Sequence, residues 1–174
     1  MRTYAKIVDD ETKLVIVGFG NDIEYYKSNG FSEMEVERSW NGSYYLQGYA
    51  PLKPIEAYKQ EKLNHLQALK NQKLKEFTYK GKIYQIDENS KVNINGKISA
   101  ILLSQNTEAP IQSVAWIAKD NTITEFSTAE FLAFSQAIAS YIETILFKND
   151  ELRTAINKAK SLEALNKINL NFGG

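Results

Sequence analysis

Residues 114–131 read VAWIAKDNTITEFSTAEF, and their reading decides the fold class. Val114 and Trp116 share one face of a strand, because successive side chains alternate across a sheet. Asp120-Asn121 supplies a polar turn, and a second strand completes a hairpin. Ser127-Thr128-Ala129-Glu130 then matches a capping box, in which the Ser hydroxyl and the Glu carboxylate satisfy backbone N–H groups that have no helical partner. A helix launched there runs back over the hairpin. A tryptophan so placed buries up to ~250 Å², enough to anchor a small core without any ligand. Trp116 is therefore expected in the core rather than in a binding site.

The helix that follows carries the strongest periodic signal in the chain. Phe131, Ile138, Ile145, Leu152 and Ala159 recur every seventh residue, and Ser135, Ile142, Asn149 and Ile156 fall four positions after the first four of them. Before Phe147 the remaining faces are also apolar (Leu132, Phe134, Ala139, Tyr141, Leu146), and after it they turn polar. The first half is expected to be buried all round, and the second half to project or to pack along one stripe. A short last helix starts at Ser161.

Upstream, FTYKGKIYQI from Phe77 predicts a hairpin turning near Lys80-Gly81. Asp87 or Ser90 caps a helix carrying Val92, Ile94, Ile98, Ile101 and Leu102, which Asn106–Pro110 breaks. At the N-terminus, YAKIVD and KLVIVG are two β-prone runs joined by Asp-Glu-Thr. Asp22 is placed to cap a short helix, and Gly30 stands where a helix end needs positive φ. Glu33, Glu35 and Glu37 alternate with Met34 and Val36, a period that puts carboxylates on one sheet face and apolar groups on the other. Asn41-Gly42 turns the chain into SYYLQGY.

Pro51 and Pro54 end this unit, since proline donates nothing to a sheet ladder. Between residues 53 and 82 stand eight Lys and three Glu, with only a thin apolar stripe of Ile55, Tyr58, Leu63, Leu66 and Leu69. The expectation is a solvated connecting helix, the competing reading a surface for an acidic partner. The whole is read as α+β: a β-β-α-β-β module over 1–52, a Lys-rich helical linker over 53–76, and a C-terminal unit of two hairpins packed with a long central helix over 77–174.

The totals narrow the function. Basic and acidic residues number 21 each, so no global field favours a polyanion, and nucleic acid is not expected as a partner. The chain has no cysteine and one histidine, His65, which removes thiolate chemistry and leaves little for a zinc or copper site. His65 reads as a solvated residue of the basic helix. Gly18-Phe19-Gly20 lacks the third Gly and the Lys-Ser/Thr of a phosphate loop. Asp9-Asp10-Glu11 occupies a turn and Glu33/Glu35/Glu37 a solvated face, and a raised pKa needs burial, which neither pattern suggests. No enzyme, cofactor or metal is therefore expected. No apolar run approaches the ~20 residues that span a bilayer, and MRTYAKIVDDE has no apolar signal core, so the chain is expected to stay in the cytoplasm. What remains is aromatic surface. Trp40, Tyr44, Tyr45 and Tyr49 cluster in the N-terminal module, and adjacent residues of a strand point to opposite faces, so some of these rings should be exposed, which suits protein or glycan contacts, the alternative being that the tyrosines cover a small sheet.

YAKIVDDETKLVIVGFG, YYKSNGFSEMEVE and WNGSYYLQGYAP resemble the N-terminal module of small proteins encoded beside tail-fibre genes in tailed bacteriophages and prophages. The segments from FTYKGKIYQIDENSKVNINGKISAIL through VAWIAKDNTITEFSTAEFLAFSQAIASYI to LRTAINKAKSLEAL resemble a domain of unknown function found in tail-fibre and tail-fibre-assembly proteins. The Lys-rich middle departs from the more ordinary amphipathic middle of that family. The resemblance implies a non-enzymatic protein of the bacterial host's cytoplasm, or of the virion tail, that helps fold, oligomerise or attach a tail fibre. It carries over no catalytic residues. On this reading Asn149 fixes register in an apolar seam, and Leu152, Ile156 and the helix end to Ala159 contact another chain, a homo-oligomer or the fibre. Two further readings are a permanent component of the tail or baseplate and an inhibitor of a host-defence protein.

Overall fold

A computed structural model describes residues 2–173, with the side chain of Arg2 left out. The fold is α+β as expected, with five helices and eight strands among the described residues. The chain forms two compact units that divide between Ala57 and Tyr58.

The first unit holds β1 (Arg2–Asp9), β2 (Leu14–Val17), α1 (Ile23–Ser28), β3 (Ser32–Arg38) and β4 (Tyr44–Leu46). All neighbouring strands are antiparallel, and they close into a barrel in the order β1-β2-β4-β3. The alternation read from the sequence sets its inside: Ala5, Val15 and Val36 are buried there, with Ile7, Val17, Met34, Tyr44 and Leu46 packed around them. Asp22 caps α1 by accepting from the Tyr25 N–H, and Gly30 takes φ +80° just after the helix.

The second unit holds most of α2 (Ile55–Lys73), then β5 (Glu76–Tyr79), β6 (Lys82–Gln85), α3 (Glu88–Ser104), β7 (Ser113–Ile117), β8 (Ile123–Ser127), α4 (Thr128–Lys158) and α5 (Leu162–Lys167). Lys80 and Gly81, both at positive φ, make the tight turn of the first hairpin; Asn121 takes φ 64° in the second. The capping box at Ser127 and Glu130 is formed in both directions. Of the two residues read as possible caps of α3, Asp87 is the one that caps it, accepting from the Ser90 N–H.

Two apolar cores share α4. Its first half meets both hairpins and α3 through Phe131, Phe134 and Ile138, packed with Tyr84, Ile86, Ile94, Ile101, Val114 and Phe126. Its second half meets α2, α5 and the C-terminal segment through Ile145, Leu152 and Ile156, packed with Leu66, Leu165 and Phe172. Tyr141 borders both cores and donates its hydroxyl to the Lys73 carbonyl at 3.1 Å; burial pushes its phenol pKa up.

The helix read as a solvated linker is thus packed. Leu66 is fully buried, and Tyr58, Leu63 and Leu69 lie against the same core. Its lysines also bond within the chain, Lys59 donating to the Asn157 carbonyl at 3.1 Å and Lys62 to the Leu165 carbonyl at 2.8 Å. Both acceptors lie in the last turns of helices, where the dipole favours a cation; the Leu165 carbonyl also accepts from the Ile168 N–H. Among the described residues no helix is long and apolar enough to cross a membrane.

Candidate interaction surfaces

The aromatic residues expected on the first unit separate into three environments. Trp40 stands at the tip of the β3–β4 turn and Tyr49 on the segment after β4, both about half exposed. Tyr44 has its ring at the barrel, edge-on to Phe19 at 6.1 Å and under the Arg38 guanidinium at 5.9 Å. Tyr45 is only 9% exposed, which removes it from the contact surface. Its cross-strand partner is Glu37. The Glu37 carboxylate accepts the N–H groups of Gly48 and Ala50, each at 2.8 Å, and so ties the segment after β4 back to β3. Glu33 and Glu35 are exposed; Glu37 is a clamp rather than a third solvated acid.

The glycines of Gly18-Phe19-Gly20 serve an aromatic neighbour. A Cβ on Gly18 would stand 2.5 Å from the Tyr26 ring, and the Gly20 N–H donates to the Tyr26 hydroxyl at 2.8 Å. Tyr26 in turn packs with Tyr4, Tyr25 and Phe31.

On α4, Leu152 is 8% exposed and Ile156 fully buried, both inside this chain's own second core. Where the expectation put another chain, the second half of the seven-residue stripe packs within this chain against α2, α5 and the C-terminal segment, whose apolar residues were too sparse to announce it. Asn149 is half-buried. Ala139 and Leu146, assigned to the interior half, are exposed, as is Phe147 at its boundary.

The sequence reading missed a groove on the second unit. A cavity of about 720 Å³ opens between α3 and β7, lined by Val92, Gly96 and Ala100 of the helix, by Ala115, Trp116 and Ile117 of the strand, and by Gln85 and Lys97 near its rim. Val92, Gly96 and Ala100 are spaced four apart, so they form one helix face, and Ile94, Ile98 and Ile101 take the opposite, core-facing side. Val92 is 68% exposed, and Leu103, one turn beyond Ala100, is 78% exposed. Across the hairpin Ile117 pairs with Ile123; these are 62% and 67% exposed. Trp116 serves both sides, with its ring 5.5 Å from Phe131 and part of it at the cavity wall. A signal existed in the sequence: α3 has apolar or small residues on more than one face, and only one face is needed for the core.

Four carboxylates are engaged in turns and caps. Hydrogen bonds hold the pKa of Asp9 (to Thr12 and Glu11), Asp87 (to Ser90) and Asp120 (to Thr122) below the ordinary value. Glu130 is brought down to about 2, first by the Lys80 ammonium and then by Ser127. His65 is exposed on α2. Among the described residues no group of three or more His, Asp or Glu is placed to hold a metal ion.

Residues 57–169 match a family described as a domain of unknown function (DUF4376), and the chain belongs to that family. No curated protein and no solved structure is significantly similar to it.

Proposed function

We propose that this DUF4376 family member is a non-enzymatic binding protein that helps a bacteriophage tail fibre fold, oligomerise or attach, acting in the cytoplasm of the bacterial host. The observation that carries the binding role is the exposed Ile117–Ile123 pair beside the α3–β7 cavity. Two β-branched side chains facing each other in water on a short hairpin cost solubility. Such a surface is retained at that cost when a partner covers it. The tail-fibre assignment is supported by the resemblance of both segments to proteins encoded with tail fibres.

Co-expression with the neighbouring fibre gene tests it. Soluble trimeric fibre should depend on this protein and should fall when Ile117 and Ile123 are both replaced by Asp. Fibre that is equally soluble with and without the protein contradicts the proposal.

The division into two compact units favours a second reading, a lasting component of the virion tail with one unit docked on the tail and the other holding fibre. Mass spectrometry of purified particles separates the two, because an assembly factor is depleted from them and a component is stoichiometric.

A further inference from the structure

Hydrogen bonds at the ends of the β7–β8 ladder fix its phase. Ala118 N–H donates to the Thr122 carbonyl and Thr128 N–H to the Gln112 carbonyl. Bonded pairs alternate along an antiparallel ladder, so Val114 and Trp116 bond toward β8. Ser113, Ala115 and Ile117 consequently turn their N–H and C=O groups to the other side, away from β8. That side is the cavity, which three consecutive residues of β7 line, as a strand edge does and a strand face does not. The first hairpin gives the same result. Ile86 N–H donates to the Lys75 carbonyl, which leaves Ile83 and Gln85 facing away from β5. Ile83 accepts from the Lys119 N–H at 2.8 Å, joining the two hairpins at one point, and Gln85 opens into the cavity.

We propose that the open edge of β7 takes up an extended peptide segment of a partner as an added strand, with small or β-branched side chains turned toward α3 and a carboxylate near Lys97. An extended backbone is the occupant that matches a row of alternating donors and acceptors at strand spacing; a helix has satisfied its own. The α3 wall leaves room for it, since a Cβ on Gly96 would meet nothing within 4 Å. Among the described residues Lys97 is the one charged side chain in the lining, so the complementary charge on the segment is negative. This inference rests on the reading of the chain as a partner-binding protein and adds the class of segment bound and its place.

The test is a displayed library of random peptides of about seven residues, near the length of a typical strand. It is selected on the full chain and counter-selected on Gly96→Leu, which fills the groove while raising helix propensity. Enriched peptides should alternate, carry Asp, Glu or a free C-terminal carboxylate, and perturb the amide resonances of Ser113, Ala115 and Ile117. They should lose roughly tenfold or more in affinity on Gly96→Leu or on Lys97→Glu. N-methylation at alternate peptide amides should abolish binding in one phase and spare it in the other. The proposal is overturned if no peptide discriminates the variant, if both N-methylation phases bind alike, or if the edge proves covered by a second copy in solution. Failure of peptide binding with fibre solubility intact rejects only this inference; peptide binding without any effect on fibre rejects the tail-fibre role.

Discussion

The indole of Trp116 and the ring of Phe131 lie 5.5 Å apart at 57°, so a residue of the hairpin's inward face holds the first turn of the long helix. The same indole reaches the cavity wall. Trp116→Ala should therefore cost about 2–4 kcal/mol, toward the low side of a fully buried ring, and Trp116→Phe less than about 1.5 kcal/mol. Urea unfolding followed by far-ultraviolet circular dichroism measures both. Equal stability of the alanine variant and the wild type would remove Trp116 from the core.

Leu152 and Ile156 should behave as core residues. Leu152→Ala and Ile156→Ala are each expected to lose about 2–5 kcal/mol, whereas Phe147→Ser, on an exposed site, should stay within about 0.5 kcal/mol. Sedimentation of Leu152→Ala should show the oligomeric state of the wild type. A change of assembly without loss of stability would restore the reading of this helix end as an interface.

Lys62 reaches the Leu165 carbonyl from a helix about a hundred residues earlier in the chain. Lys62→Met keeps the aliphatic stem and removes the donor, so its effect isolates the cap. The expected loss is about 0.5–1.5 kcal/mol. It should appear as faster amide exchange in α5 before any change in the hairpins.

Glu130 gives a pH signature. Its folded pKa of about 2 lies below the ordinary 4.5, so the ionised form is the one the fold prefers. Its contribution is complete above about pH 4.5 and is lost as the pH falls toward 2. Carboxylate titration by NMR should give a midpoint near 2 in the wild type and a clearly higher one in Lys80→Ala, since Lys80 is the largest cause. An unchanged midpoint in that variant would place the cause at Ser127 alone.

Local signals carried most of the secondary structure. The Ser127–Glu130 box, the Asn121 turn and the alternation of Met34 and Val36 each act over a few residues, and each appears where the sequence puts it. What depended on distant partners was not legible. Closure of the barrel needs Thr3 beside Met34 and Val15 beside Tyr44, and no local pattern specifies either pair. The lysines of α2 looked like a solvated face because the carbonyls they meet lie in α4 and α5. The groove was hidden for a related reason: it depends on which edge of β7 stays unpaired, and that becomes visible only once the ladder's phase is known.

The most direct measurement is the affinity of the purified chain for purified fibre, by calorimetry, with the wild type and with the Ile117→Asp, Ile123→Asp pair. Binding that weakens by roughly tenfold or more in a double variant with an unchanged circular dichroism spectrum is the result predicted. Absence of binding by the wild type, or the same affinity for both proteins, would contradict the account.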